Sequence, residues 1–155
     1  MTSDHPIRAE WIILADAASV VGNKLYLLGG GWDRLVVNTP LPVRQPCAIA
    51  VSFRVPWAET NARHQFSLEV QDEDGNPLLR AGGHFEVGRP AGPPAGQPQR
   101  FQFAISAPLE LKRTGTYVIV ARIENDEVDR TTFSVDLGPA LLMQPLFKPG
   151  DQGPL

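Results

Sequence analysis

Apolar and polar side chains alternate along several short segments of the chain. At 66–71 the apolar residues occupy every second position, and the segment 101–106 repeats this pattern. Because successive side chains of a strand point to opposite faces of a sheet, a period of two predicts strands with one face on a core. All odd positions of 47–55 are apolar, so this segment is also predicted to bury one face and expose the other. No segment keeps helical spacing over three turns.

A Gly22-Asn23 pair between two apolar runs predicts a first hairpin, with strands at about 9–20 and 24–30. Such pairs favour two-residue turns because both residue types tolerate positive φ. Three consecutive glycines at 29–31 then interrupt the apolar run. Glycine adopts backbone conformations that other residues resist, so we expect a bulge or a sharp bend there.

An Asp74-Gly75 pair predicts a second hairpin, whose return strand runs over 77–87. His64 and His84 lie at nearly equal distances from this turn along the chain. We therefore expect the two histidines to face each other across the hairpin.

Eight or nine strands at this spacing predict an all-β fold, an antiparallel β-sandwich. The 14 glycines and 15 prolines among 155 residues also favour short elements. The segment leading to Tyr117 resembles the corner of immunoglobulin-like folds, where a tyrosine hydroxyl bonds to upstream backbone. The predicted sandwich is therefore immunoglobulin-like. It is expected to span 1–137, followed by a Pro/Gly-rich C-terminal tail at 138–155.

Charge and cysteine content narrow the possible environments. The net charge of −3 leaves no basic surplus for binding nucleic acid or an anionic membrane. A single cysteine, Cys47, cannot form an internal disulfide, so nothing points to an oxidising compartment. The polar segment 1–10 lacks the features of a signal peptide. These observations predict a cytoplasmic protein.

Candidate chemistry is sparse, so we expect neither an enzyme nor a cofactor or metal site. His5, His64 and His84 lack the close spacing of a zinc site. The acidic segment 72–76 lacks the ligand pattern of a calcium loop and is better explained as a charged hairpin tip. Cys47 begins an apolar strand, which predicts a buried, inert thiol.

Two segments are candidates for binding a partner. The first is a stiff, proline-rich loop that would lose little entropy on docking. The second is the apolar part of the tail, which either folds back on its own domain or docks on another chain. The candidate residues are Arg89, Pro90, Pro93 and Pro94 in the loop, and Leu141, Leu142, Met143, Leu146 and Phe147 in the tail.

The absence of chemistry together with these two segments favours a non-catalytic module that binds a protein or assembles with copies of itself. One alternative is a structural component of a larger, phage-like particle, which rests on fold analogy alone. Another is a small-molecule or sugar-binding module that uses Trp32 or Trp57.

Three short stretches together resemble an uncharacterised family of small bacterial proteins. They are Ala15-Asp16-Ala17-Ala18, the glycine-rich segment 27–33 and Gly88-Arg89-Pro90. The resemblance covers about 10–136, and the family is found mainly in actinobacteria and carries only a domain-of-unknown-function label. It implies no activity and no site residue, and it is consistent with a cytoplasmic bacterial protein.

Overall fold

Nine strands and one short 3-10 helix form the described part of the chain. The structure is a computed structural model, and it describes residues 4–92 and 94–139. The strands are β1 (Arg8–Val21), β2 (Lys24–Gly30), β3 (Arg34–Val37), β4 (Val43–Val55), β5 (Arg63–Gln71), β6 (Pro77–Glu86), β7 (Gln99–Leu111), β8 (Gly115–Ile123) and β9 (Asp126–Leu137). The 3-10 helix, Trp57–Glu59, connects β4 to β5. The predicted all-β class and the strand number are confirmed.

The strands form two sheets, in the orders β2-β1-β4-β7 and β3-β9-β8-β5-β6. All neighbours are antiparallel except β3 and β9, which pair in parallel from Arg34 opposite Ser134 to Val37 opposite Leu137. The prediction of a purely antiparallel fold is therefore wrong for this pair. Parallel neighbours need a long connection. Most of the domain, from β4 to β8, lies between these two strands in the chain.

The core lies between the two sheets. Phe66 of β5 packs its ring against Phe101 and Phe103 of β7, at centroid distances of 5.3 and 4.8 Å. Phe85 of β6 stacks on Phe101 at 4.3 Å. The alternating residues of β5 are buried on this side, as predicted. Phe66, Phe101 and Phe103 come from strands that the period of two identifies, and Phe85 comes from the return strand that the Asp74-Gly75 turn predicts.

The outer side of β4 is buried as well, so the prediction that it faces solvent is wrong. Ala48, Ala50 and Ser52 have no exposed surface. The cause is the course of β1, which pairs with β4 only as far as the partners Ala15 and Ala48. The rest of the β1–β2 hairpin lies over the outer face of β7.

Two hydrogen bonds fix the hairpin in this position. The hydroxyl of Ser106 donates to the carbonyl oxygen of Ala18 at 3.3 Å, and the amide of Gln102 donates to that of Asn23 at 2.7 Å. Ser106 and Gln102 alternate with core-facing residues of β7, so they point away from the core.

The turn and the glycine run of the first hairpin match the expectations from sequence. Gly22 and Asn23 both have φ of 58°, which is the backbone of a type I′ turn. Gly29 has φ of 60°, and a Cβ there would lie 2.3 Å from the carboxylate of Asp16. Gly31 also has positive φ, and the chain then leaves the first sheet for the second. The run marks the predicted bend.

A bulge in the second hairpin separates the two histidines. The register shifts between Val70 and Gln71, so His64 lies opposite Phe85 and Gln65 lies opposite His84. His64 is consequently buried and His84 exposed. The expectation that they face each other is wrong, because one extra residue in a strand moves side chains to the other face.

The predicted tyrosine corner is present. The hydroxyl of Tyr117 donates to the carbonyl oxygen of Arg113 at 2.7 Å, and its ring stacks on Phe133 at 5.3 Å. This bond ties the start of β8 to the end of β7.

Candidate interaction surface

Exposed large apolar side chains are concentrated on the β1–β2 hairpin. In the described ranges 4–92 and 94–139 there are five such residues, and four lie here. Val21 is 63% exposed, Tyr26 55%, Leu27 38% and Leu28 72%. The fifth, Val36 on β3, is 45% exposed. The hairpin is therefore the main apolar surface of this part of the chain.

The strand period explains which residues of the hairpin point outward. Cross-strand partners share a face, and the exposed set consists of Ala17 with Leu28, Ser19 with Tyr26, and Val21 with Lys24. We call these six residues the hairpin face. The opposite side holds Ala18, Val20, Leu25 and Leu27, which are half-buried except for Leu27. An open groove of about 650 Å³ runs beside Tyr26 and Leu28.

The hairpin also carries an open strand edge. In a type I′ hairpin the residues flanking the turn form a hydrogen-bonded pair, and such pairs recur at every second position. Lys24, Tyr26 and Leu28 therefore bond to β1. The backbone N–H and C=O groups of Leu25 and Leu27 point away from it. Among the described strands, none pairs with this side of β2.

The other sheet edges carry features that hinder pairing. β6 begins at a proline and holds Arg80, His84 and Glu86, while β7 holds Arg100 and Pro108. β3 is only four residues long. Charges, prolines and short length are the usual protections of an edge strand. β2 has one charge, Lys24, and no proline.

The proline-rich loop is fixed to the domain by Arg89. Its guanidinium donates to the hydroxyl of Thr60 at 2.7 Å and to the carbonyl oxygen of Trp57 at 3.1 Å, and lies 4.1 Å from the centre of the Trp57 ring. Pro90 and Pro94 are exposed. Pro93 and the tail candidates Leu141, Leu142, Met143, Leu146 and Phe147 lie outside the described residues.

An ion cluster holds the N-terminal end of β1, which we call the foot of the first hairpin, against β4 and β7. Arg8, Arg54 and Arg100 are neighbours across β1, β4 and β7. Glu10 accepts hydrogen bonds from Arg100 at 2.6 and 3.0 Å and from the hydroxyl of Ser52 at 2.9 Å. The bond from Arg100 is the main cause that lowers the pKa of Glu10 to about 2. Glu10 thus stays ionised and offsets the repulsion between the arginines.

The cysteine and the buried histidine, which are the side chains best suited to catalysis, are buried or engaged in contacts within the fold. Burial raises the pKa of the Cys47 thiol to about 11, which disfavours a nucleophilic thiolate. The Nε2 atom of His64 lies 2.8 Å from the carbonyl oxygen of Glu59, and its Nδ1 atom lies 3.3 Å from the carboxylate of Glu124.

The described ranges contain neither a metal-binding cluster nor a membrane-spanning helix. No three His, Cys, Asp or Glu side chains are grouped there so that they could hold a metal ion. The same ranges contain no helix with the length and hydrophobicity of a membrane span.

Comparison with known proteins identifies a family whose function is unknown. Residues 10–136 match a family of unknown function, DUF6941. The chain belongs to this family. The resemblance inferred from sequence is thereby confirmed for DUF6941, while an actinobacterial origin stays a prediction. None of the proteins with curated descriptions matches this DUF6941 member.

One solved structure shows a distant likeness. It is a glycosyl hydrolase family 2 member from Bacteroides cellulosilyticus DSM 14838, with 12% sequence identity and a TM-score of 0.38. The match covers 65% of the DUF6941 chain and only 14% of the hydrolase chain. A likeness this weak supports no conclusion about fold or activity.

The hairpin face was missed as a candidate site from sequence. The strand at 24–30 was predicted, but its exposure was not. The one signal of this surface in the sequence was the run Leu25-Tyr26-Leu27-Leu28, in which apolar and polar residues do not alternate although it follows a tight turn. An unbroken apolar run usually indicates a strand covered on both faces. Here it belongs to an edge strand.

Proposed function

We propose that this protein is a non-catalytic interaction module that binds a protein through the β1–β2 hairpin. The observation that carries the proposal is the joint exposure of Tyr26 and Leu28 on one face of an open edge strand. Single exposed apolar residues are common on protein surfaces, but contiguous apolar patches mark interaction sites. An open edge adds backbone groups that an extended partner can pair with.

Burial of this surface would supply binding free energy. Removing a leucine or aromatic side chain from water contributes about 1.5–3 kcal/mol. Tyrosine is also among the residues enriched at binding hot spots. Tyr26 and Leu28 lie on the same face, at alternate positions of one strand. They form a compact pair of anchors.

Other expectations accompany this proposal. The bond of Tyr117 supports an immunoglobulin-like relationship, and the net charge supports a protein partner rather than nucleic acid. The single buried cysteine is consistent with a cytoplasmic location. The exposed Pro90 and Pro94 provide a second contact area beside Arg89.

A small-molecule function is the second candidate, favoured by one groove. This depression of about 260 Å³ is lined by Pro6, Arg8, Arg54, Pro56, Trp57, Gly96 and Pro98. A groove that is lined by an indole and two guanidinium groups suits an anionic or sugar-like ligand. Titration of tryptophan fluorescence with acidic and neutral sugars tests this candidate, and flat titrations would remove it.

The main proposal is tested by site-specific photocrosslinking in native cells. A photoreactive residue replaces Leu28, and a matched variant carries it at Val36, which is also exposed and also on an edge strand. We expect protein adducts at position 28 that excess unlabelled wild-type protein suppresses and an excess of Leu28→Asp protein does not. Equal adducts at both positions, or none at position 28, would refute the proposal.

A further inference from the structure

We infer that the partner on the β2 edge is a second copy of this chain, paired antiparallel about a two-fold axis at Tyr26. This inference rests on the proposed function of the hairpin as a binding surface. It adds the identity of the partner and the register of pairing. Two-fold dimers are the commonest closed assemblies of identical chains.

The free backbone groups of β2 are self-complementary in this register. Leu25 of one copy lies opposite Leu27 of the other, and both residues present to the edge N–H and C=O groups that pair with none of the described strands. Each of the two symmetry-related pairs exchanges two hydrogen bonds, so the edge gains four. The two four-stranded sheets then join into one sheet of eight strands.

The side chains and charges fit the same arrangement. With the axis at Tyr26, Lys24 lies opposite Leu28 of the other copy, and the two lysines are kept apart. Lys24 is the single charge on β2, so no like charges meet. Gly29 lies opposite Asn23 of the other copy, and neither residue carries a charge. The two Tyr26 rings meet at the axis.

The alternative edges of the domain do not offer such a match. Self-pairing of β7 would bring prolines and arginines into the ladder, and β6 carries three titratable side chains. Pairing through β2 uses a short segment, so the buried area falls below that of standard stable interfaces. We therefore expect a weak dimer, with a dissociation constant on the order of micromolar.

Charge substitution at the axis tests both the partner and the register. Tyr26→Lys and Tyr26→Glu each place two like charges opposite each other, so each variant alone should sediment as a monomer at concentrations where the wild type is a dimer. An equimolar mixture should restore a dimer, because each complex then pairs Lys with Glu. The mixture also shows that both variants are folded. Val36→Lys is the matched control and should leave the dimer unchanged.

A cysteine at the axis provides an independent readout. Residue 26 would form a non-hydrogen-bonded pair with its copy, in which Cα atoms are about 4.5 Å apart. That spacing is within the range of disulfides. Tyr26→Cys should therefore form a covalent dimer under mild oxidation, and Val36→Cys should not. Native Cys47 is buried and does not compete.

Several outcomes would overturn the inference. A wild-type protein that stays monomeric at millimolar concentration excludes the second copy, and crosslinks from position 28 to a different protein would then leave the proposed function standing. A dimer that persists in Tyr26→Lys must form elsewhere. If only a chain lacking 140–155 dimerises, the tail occupies the edge in the full chain, which also refutes pairing between copies.

Discussion

The hairpins β1–β2 and β5–β6 both turn at a glycine, but their tips differ in how many hydrogen bonds and ion pairs hold them. At the β5–β6 tip, one carboxylate oxygen of Asp72 accepts the N–H groups of Asp74 and Asn76, both at 2.9 Å. Arg113 binds the carboxylate of Asp74 at 2.8 Å. Burial acts to raise the pKa of Asp72, but these hydrogen bonds and Arg113 lower it overall. The polar groups of this tip thus find partners within the tip and in Arg113 of the β7–β8 loop.

The β1–β2 tip makes fewer such contacts among the described residues. Its turn is fixed by the single bond from Gln102, and its apolar residues face solvent on an edge. By contrast, β5 lies inside its sheet between β8 and β6, and its apolar residues fill the core. The difference shows that sheet position, more than composition, decides whether an apolar strand stabilises the domain or is left for a partner.

Among the glycines of the two hairpins, we expect the largest effect from Gly82→Ala in β6. An added Cβ would lie 2.2 Å from the carbonyl oxygen of Phe66, and this backbone atom cannot move aside cheaply. We expect a loss of about 3 kcal/mol in the free energy of unfolding, measured by urea denaturation. Gly22→Ala in the other hairpin meets no atom within 4 Å and should cost about 1 kcal/mol, from its φ of +58° alone. Equal losses of unfolding free energy in the two variants would contradict the view that β6 is closely packed while the β1–β2 turn is open to solvent.

A smaller effect, with a defined pH window, is expected from Glu10→Gln at the foot of the first hairpin. The pKa of Glu10 falls from its ordinary 4.5 to about 2 on folding. Its stabilisation is therefore complete above about pH 4.5 and is lost as the pH falls towards 2. The variant should be less stable by on the order of 1–2 kcal/mol at pH 7 and should match the wild type near pH 2.

Denaturation of both proteins across this range provides the measurement. Asp72 titrates at low pH in both of them, so its contribution cancels in the difference. A difference that stays constant from pH 7 to pH 2 would show that ionised Glu10 does not anchor the hairpin.

Tyr117→Phe should have a still smaller effect, near the β5–β6 tip. The substitution keeps the ring on Phe133 and removes only the hydrogen bond to Arg113. The expected loss is about 1 kcal/mol, the usual value for one such bond, and thermal unfolding measures it. Because the same residue, Arg113, also binds Asp74, a loss of several kcal/mol would indicate that the whole tip is displaced.

Local features of this fold were predictable from the sequence. The turn at Gly22-Asn23, the core face of β5 and the bond of Tyr117 each depend on a few neighbouring residues with strong conformational preferences. The burial of Cys47 was equally predictable, because the residue lies in an apolar strand. In each case the pattern and the structure agree over a short stretch of chain.

Long-range features were not predictable, because they depend on where each strand lies in its sheet. The parallel pairing of β3 with β9 joins residues about 100 positions apart. The burial of Ala50 depends on a hairpin that folds over another strand. The bulge at Val70 moves His84 to the opposite face from His64. The candidate surface was missed for the same reason, since the exposure of Leu28 follows from the edge position of β2.

The smallest effect on stability is expected from Leu28→Gln, and it sharpens the comparison most directly. Leu28 is 72% exposed, whereas Leu68 in β5 is 2% exposed. Replacing Leu28 should change the free energy of unfolding by less than about 0.5 kcal/mol, while Leu68→Ala should cost about 2–5 kcal/mol. Urea denaturation is measured at a protein concentration too low for dimers to form, so the change reports the stability of the monomer alone. If Leu28→Gln cost as much as a core substitution, the hairpin face would be part of the domain's own packing rather than a surface kept for a partner.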